Sequence, residues 1–283
     1  MESLNKEHPD TYEVAESSEV EALIDQAEAL KQQIDQARPL APELWQTIQE
    51  KLKISWTYNS NAIEGNTLTL GETAFFLQQG LTSQGKPFKD YLEARNHAEA
   101  IDLLNDVVVG TRPITEGLIK EINALLLKDV PSTPAIDPLG RRVEKKATPG
   151  QYKERPNHVL QPDGTIHHYV EPLQVPGEMH VLVAWTNQHI DQLHPIVVGA
   201  LSHYNYVRIH PFDDGNGRGA RILMNLILLK KSYPPTVIRN EDRQAYIESI
   251  VEADRGDVKP FVAFIAQSVI DTEKMILEDL QTR

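Results

Sequence analysis

Apolar residues recur at helical spacing along most of the chain. Val20, Leu23, Ile24, Ala27, Leu30 and Ile34 fall three or four apart until Arg38-Pro39 interrupts them, and Trp45, Ile48, Leu52 and Trp56 mark a second amphipathic helix. That helix runs into the string Ser60-Asn61-Ala62-Ile63-Glu64-Gly65-Asn66. Thr69 followed by Glu72 has capping-box spacing and predicts a short third helix that Gly80 closes. The period returns over 90–109 and over 115–128, the latter opening on Thr115, then over 178–192, 195–208, 217–231, 241–253 and 258–280. Between about 130 and 178 the period is lost and Pro and Gly accumulate. Within that stretch Asn157 to Val170 places Pro162-Asp163-Gly164 between two short β-like runs, the one strand pair the pattern predicts. Residues 1 to about 18 are polar, rich in carboxylates and without a period, which predicts a flexible tail. The expectation is a mainly α protein with one small β-hairpin: a tail over 1–18, N-terminal helices over 19–90, and a core with C-terminal helices over 91–283.

Composition narrows the partners. With 28 basic against 41 acidic residues the chain carries a net charge of −13, a surface that repels phosphate backbones, so nucleic acid is not an expected partner. The absence of cysteine removes disulfides, thiolate nucleophiles and Cys-based zinc sites, and suits a reducing cytoplasm. The N-terminus lacks the charged-then-apolar run of a signal peptide, and no apolar stretch reaches the roughly 18 residues of a membrane span. A soluble, cytoplasmic protein without a membrane partner is the expectation.

One segment concentrates chemistry: His210-Pro-Phe-Asp-Asp-Gly-Asn-Gly-Arg-Gly-Ala-Arg221. Gly215, Gly217 and Gly219 allow sharp turns and close approach to a ligand, and the apolar run after them predicts a helix. A glycine-rich turn entering a helix N-terminus presents unpaired N–H groups at the positive end of the dipole, which is an anion site. Arg218 and Arg221, three apart, reach the same polyphosphate from one helical face. Asp214 is a hard oxygen ligand suited to Mg2+ or Mn2+ bridging phosphates. Asn216 can orient either the loop or a phosphate. Neutral His210 can take a proton from an attacking hydroxyl. Pro211 stiffens the turn and Phe212 anchors it. A capped turn alone explains a Gly-rich helix entry, and a lone His is more often structural; the conjunction in fixed order is what points to a site.

This segment resembles the signature of the Fic family, His-Pro-Phe-x-Asp/Glu-Gly-Asn-Gly-Arg-x-x-Arg, with every defined position filled, and the resemblance extends over roughly residues 45 to 270. It implies a Fic-type helical bundle and an adenylyltransferase that moves AMP from ATP onto a Ser, Thr or Tyr hydroxyl of a target protein. By position it implies His210 as base and Asp214 as magnesium ligand. Gly215, Asn216, Gly217, Arg218, Gly219 and Arg221 fall at the phosphate contacts. Tyr246 and Asp254 fall at positions lining the nucleoside pocket. The hairpin near 157–170 matches the flap that aligns the target by strand addition, with Val159 as its clamp, although an ordinary surface hairpin gives the same pattern. His167 and His168, adjacent on a strand, face opposite ways and read as solvent-exposed rather than as a metal pair. Gly217, where a kinase-like branch has lysine, favours AMP transfer over the alternative, a phosphotransferase or other nucleotide transferase on the same scaffold.

Ser60, Glu64 and Gly65 resemble the family's inhibitory motif on an N-terminal helix. The implied brake is a bidentate pair between Glu64 and Arg221, which withdraws that guanidinium from the ATP γ-phosphate. The plainer reading is that Glu64 only caps a helix end. The same carboxylate could position water for removal of AMP from modified protein, and the resemblance also implies a homodimer as one state of the chain.

Overall fold

The computed structural model describes residues 11–39, 41–136, 141–160 and 166–281. Ten α-helices appear among them: α1 Ser18–Gln36, α2 Pro42–Ile63, α3 Leu70–Gln79, α4 Phe88–Val109, α5 Glu116–Leu126, α6 Val175–His189, α7 Pro195–Ile209, α8 Asn216–Lys230, α9 Arg243–Asp254 and α10 Lys259–Gln281. Every helix that the apolar period predicts is present.

The local signals act as read. Thr69 and Glu72 form a full capping box at the start of α3, and Gly80 closes it in the left-handed conformation. Thr115 caps α5 by accepting from the Leu118 N–H.

At the centre, α7 and α8 pack side by side. Ile222, Leu223, Met224, Leu226, Ile227 and Leu228 are all buried, so α8 is apolar around almost its whole circumference, as befits a helix enclosed by others. One side of this pair packs against α4, α5 and α6 through Leu104, Ile119, Ile122 and Leu182. The other packs against α1, α9 and α10 through Ala27, Ala253, Phe261 and Ile265. α2 lies alongside α4 and delivers its C-terminal end to the start of α8. No helix among the described residues is long and apolar enough to cross a membrane.

Two features depart from the sequence reading. The hairpin is there, with β3 (Val159–Leu160) antiparallel to β4 (Ile166–His167) and Val159 opposite His167, its Pro-Asp-Gly turn lying outside the described residues. A second antiparallel pair stands before it: β1 (Ser132–Ile136) with β2 (Arg142–Lys146), Ser132 opposite Lys146. The tail expected to residue 18 is docked from Thr11 onward. The Thr11 hydroxyl donates to Asn205 Oδ1 at 2.6 Å, the Asn205 amide donates back to the Thr11 carbonyl at 2.7 Å, and the Tyr12 ring packs on Trp185. Paired backbone and side-chain bonds of this kind need no periodicity.

Candidate active site

The segment from His210 to Gly215 joins α7 to α8. His210 itself ends α7 in the left-handed conformation, with its N–H on the Tyr206 carbonyl, and Gly215 opens α8 at φ 77°, a conformation that favours glycine. Between them Phe212 is fully buried and serves as the anchor. The Phe212 N–H donates to Asn216 Oδ1 (2.9 Å) and Asn216 Nδ2 donates to the Phe212 carbonyl (2.8 Å), so the amide orients the loop and not a phosphate. Further bonds fix the loop from outside: the Lys153 N–H on the Pro211 carbonyl, Asn157 on the carbonyl of Phe212, Asn123 on that of Asp214, and Lys145 with Thr148 on the Asp213 carboxylate.

Beyond the loop, the N–H groups of Asn216, Gly217 and Arg218 form the first turn of α8 and have no helical carbonyl to bond. An anion belongs there, and the chain supplies one. Arg221, with 2% of its side chain exposed, donates from one terminal nitrogen to Glu64 Oε1 at 2.7 Å. The same nitrogen reaches the Ser60 carbonyl, Nε reaches the Ser60 hydroxyl at 3.0 Å, and the other terminal nitrogen the Tyr246 hydroxyl. The pair is therefore single-pronged rather than bidentate, because Ser60 and Tyr246 occupy the rest of the fork. Glu64 Oε1 lies 2.3 Å from where a Cβ on Gly217 would stand, so the missing side chain is what admits the carboxylate. Burial works against charge on Glu64, but Arg221, helped by Arg218, outweighs it and holds the carboxyl below the ordinary glutamate range.

Arg218 lies on the same turn but has its own acidic partners. It is buried between Glu93 of α4 (3.3 Å) and Asp214 (3.5 Å), with Asn61 also in reach. Asp214 Oδ1 takes the Gly215 N–H and faces Arg218, while Oδ2 takes no hydrogen bond among the described residues. That free oxygen fits a single ligand to a divalent ion that draws its other ligands from phosphates and water. No cage of three or more acidic or histidine side chains forms among the described residues.

The base candidate sits at the other end of the loop. His210 Nδ1 lies 3.3 Å from the Val207 carbonyl, which can only accept, so the proton is on Nδ1 and Nε2 carries the lone pair. Burial, with the buried cation of Lys153 close by, pushes the imidazole down to about 3, against the pull of Val207 and Glu64. His210 is neutral at physiological pH by a wide margin, well below its unperturbed value.

Residues 113–228 match the Fic/DOC family. The fold matches a Fic-domain signalling protein from Bacteroides thetaiotaomicron at 32% identity and a TM-score of 0.78, covering 94% of this chain and 98% of that one. The chain belongs to the Fic/DOC family. It is also similar to the C. elegans protein Fic-1 (26% identity, TM-score 0.78, 93% of this chain and 73% of that one). Among curated relatives, the protein adenylyltransferase Fic of Nematostella vectensis is 36% identical over 214 residues, 74% of this chain; the chain spans 45% of that relative's length.

Within this Fic site several residues take other places than the signature alone implies. Tyr246 is buried behind Arg221: its hydroxyl accepts from the guanidinium and so turns its own proton to His203 Nε2 at 2.9 Å. It backs the arginine and does not line an open pocket. A Cβ on Gly219 would come 2.5 Å from the Tyr206 hydroxyl, so this glycine makes room for a core ring and not for a phosphate. Asp254 accepts from the Tyr204 hydroxyl and lies 3.8 Å from His167 of the hairpin, which joins the hairpin to the end of α9. His167 is thereby half-buried rather than solvent-exposed, while His168 is exposed. Val159 is 45% exposed and stands opposite His167 in the hairpin. Gly65 turns the chain after α2 at φ 93°. Lys153, Tyr169, Glu93 and Asn61 complete the site. Asn61 and Tyr169 lie within strings the sequence singles out, Ser60–Asn66 and Asn157–Val170, but neither residue is marked there, and Lys153 and Glu93 carry no spacing signal.

Proposed function

We propose that this Fic protein is a protein adenylyltransferase held in check by Glu64. The observation that carries the reading is the Glu64 carboxylate on Arg221, over Gly217 at the open N-terminus of α8 and beside a neutral His210. A site that draws a carboxylate from its own chain suits a polyphosphate better still, since three helix N–H groups and a guanidinium stand ready to accept negative charge.

ATP with Mg2+ supplies an electrophilic α-phosphorus and pyrophosphate as leaving group. Around it, Asp214 would hold the metal, and the first turn of α8 with Arg221 would hold the phosphates once Glu64 has withdrawn. Arg218, already neutralised by Glu93 and Asp214, stiffens this turn. His210 Nε2 takes the proton of a Ser, Thr or Tyr hydroxyl as that oxygen bonds to the α-phosphorus and the bond to pyrophosphate breaks. The free edges of the β3–β4 hairpin present the target segment beside His210. Gly217, where the kinase-like branch of the family has lysine, supports transfer of AMP rather than of the γ-phosphate, and it also leaves the room that Glu64 occupies, since a side chain there would collide with that carboxylate.

The test is incorporation of label from ATP marked on the α- or the γ-phosphate. Removing a charge-assisted bond worth about 1.5–3 kcal/mol, Glu64→Gly is expected to raise self-labelling from α-marked ATP roughly 10- to 100-fold, and His210→Ala in that background to abolish it. Label arriving from the γ-phosphate would sink AMP transfer. No gain in Glu64→Gly would sink the brake.

A further inference from the structure

The Tyr169 ring lies flat on the His210 imidazole, centroids 3.8 Å apart and planes 20° from parallel. Tyr169 stands two residues beyond β4, on the arm of the hairpin that carries His167, and nothing in the phosphate chemistry of the site calls for it. Its backbone N–H is fixed on His158 Nδ1 at 3.2 Å, and His158 in turn lies 3.3 Å from Glu171. On its other flank the buried Lys153 ammonium lies 5.8 Å from the centre of the Tyr169 ring. The ring is thus placed from two directions, independently of the histidine it covers.

The histidine needs such a support. A hydrogen bond of 3.3 Å from Nδ1 to Val207 is long for an N–H donor and restrains rotation of the imidazole weakly. His210 also sits on left-handed backbone at the end of α7. We infer that Tyr169 is the positioning residue of the base: its ring face fixes the imidazole plane so that Nε2 points along one line, and excludes water from one face. The inference rests on the reading of His210 as base. It adds a second consequence. When Nε2 gains the proton, the resulting imidazolium lies on the electron-rich face of a tyrosine, which favours the cation, whereas the nearby Lys153 disfavours it. The two neighbours together let the base be neutral at rest and yet accept a proton in the reaction. The titratable groups facing His210 are Lys153 from the loop before the hairpin, Glu64 from the end of α2 and His167 from β4, with Asp254 of α9 behind His167.

The experiment compares Tyr169→Phe, which keeps the ring face, with Tyr169→Leu, which keeps bulk without it. Nitrogen NMR shifts of His210, assigned by their loss in His210→Ala, are read in the wild-type background without nucleotide. Catalysis is read in the Glu64→Gly background. Tyr169→Leu is expected to move the Nδ1 and Nε2 shifts from a single tautomer toward a mixture and to lower kcat about 10- to 100-fold at unchanged KM for ATP, part of the roughly 10² to 10⁴ that a positioned base contributes. Tyr169→Phe is expected to restore both within about threefold. A Leu variant with the wild-type backbone spectrum, the wild-type tautomer and undiminished kcat would overturn the inference, and so would a Phe variant as impaired as Leu. If the Glu64→Gly parent transfers no AMP, the proposed activity fails, while the tautomer shifts still decide whether Tyr169 holds the ring.

Discussion

Three glycines in five residues read alike in the sequence, and the structure gives each a different reason. Gly215 supplies a left-handed backbone, Gly217 clears space for Glu64, and Gly219 clears space for Tyr206. The last case can be measured cleanly. Tyr206 is fully buried, and its hydroxyl has no hydrogen-bond partner among the described residues. Gly219→Ala drives a methyl to 2.5 Å from that hydroxyl, an overpacking expected to cost about 1–3 kcal/mol. Tyr206→Phe removes an oxygen that is desolvated without return, so alone it should leave stability equal or slightly higher. In the double variant most of the Gly219→Ala loss should come back. Chemical denaturation of the four proteins checks the cycle, and strict additivity would show that the clash is not where the cost arises.

At the level of elements, helices were legible because each buries a stripe on a fixed core and therefore repeats every 3.6 residues; α8, enclosed on all sides, was legible as an apolar run. The β1–β2 pair was not. Pro134 interrupts β1, β2 has a single apolar residue, and Val143 there is 39% exposed. A ribbon whose strands pair with each other, and whose buried position Thr133 is polar, shows no apolar alternation. The docking of Thr11 and Tyr12 escaped notice for a related reason, since two anchored residues make no period. Caps, by contrast, are local chemistry and could be read outright. The α3 capping box ties Thr69 to Glu72, whose other oxygen accepts from Ser83. Those bonds, backbone first, hold the Glu72 carboxyl down to about 2. Thr69→Ala is expected to cost about 1 kcal/mol and to lower Tm by roughly 2–4 °C, with Thr69→Ser costing less. Equal Tm values for Ala and wild type would mean the box is not formed in solution.

Across the whole molecule, the site is assembled from α2, α4, the hairpin, α8 and the end of α9, and the sequence marked it most clearly where its residues fall in a contiguous string. His210 to Arg221 and Ser60 to Gly65 were legible for that reason; Lys153, brought in by a loop without a period, was not, and Tyr169 lay inside the hairpin string without a signal of its own. The same long-range packing leaves one carboxyl in an unusual state far from the site. Glu273 of α10 is completely buried against α1, and neither of its oxygens has a hydrogen-bond partner among the described residues. Burial, reinforced by Glu28 and Asp35 and only partly offset by Lys31, pushes it up to about 8. Tyr233, bonded to Glu28 and to His194, closes the other side of this cluster. The unfolded chain releases the Glu273 proton near pH 4.5, whereas the folded chain keeps it to about pH 8. Between those values the folded state binds the extra proton, so its stability falls as pH rises through the window and levels off above it. The loss is on the order of a few kcal/mol. Glu273→Gln keeps the shape and the neutral charge at every pH. It should match wild type near pH 5 and become progressively the more stable of the two toward about pH 8, the gap in denaturation midpoint widening across that range. Parallel stability curves for the two proteins would show that Glu273 is already ionised in the folded chain.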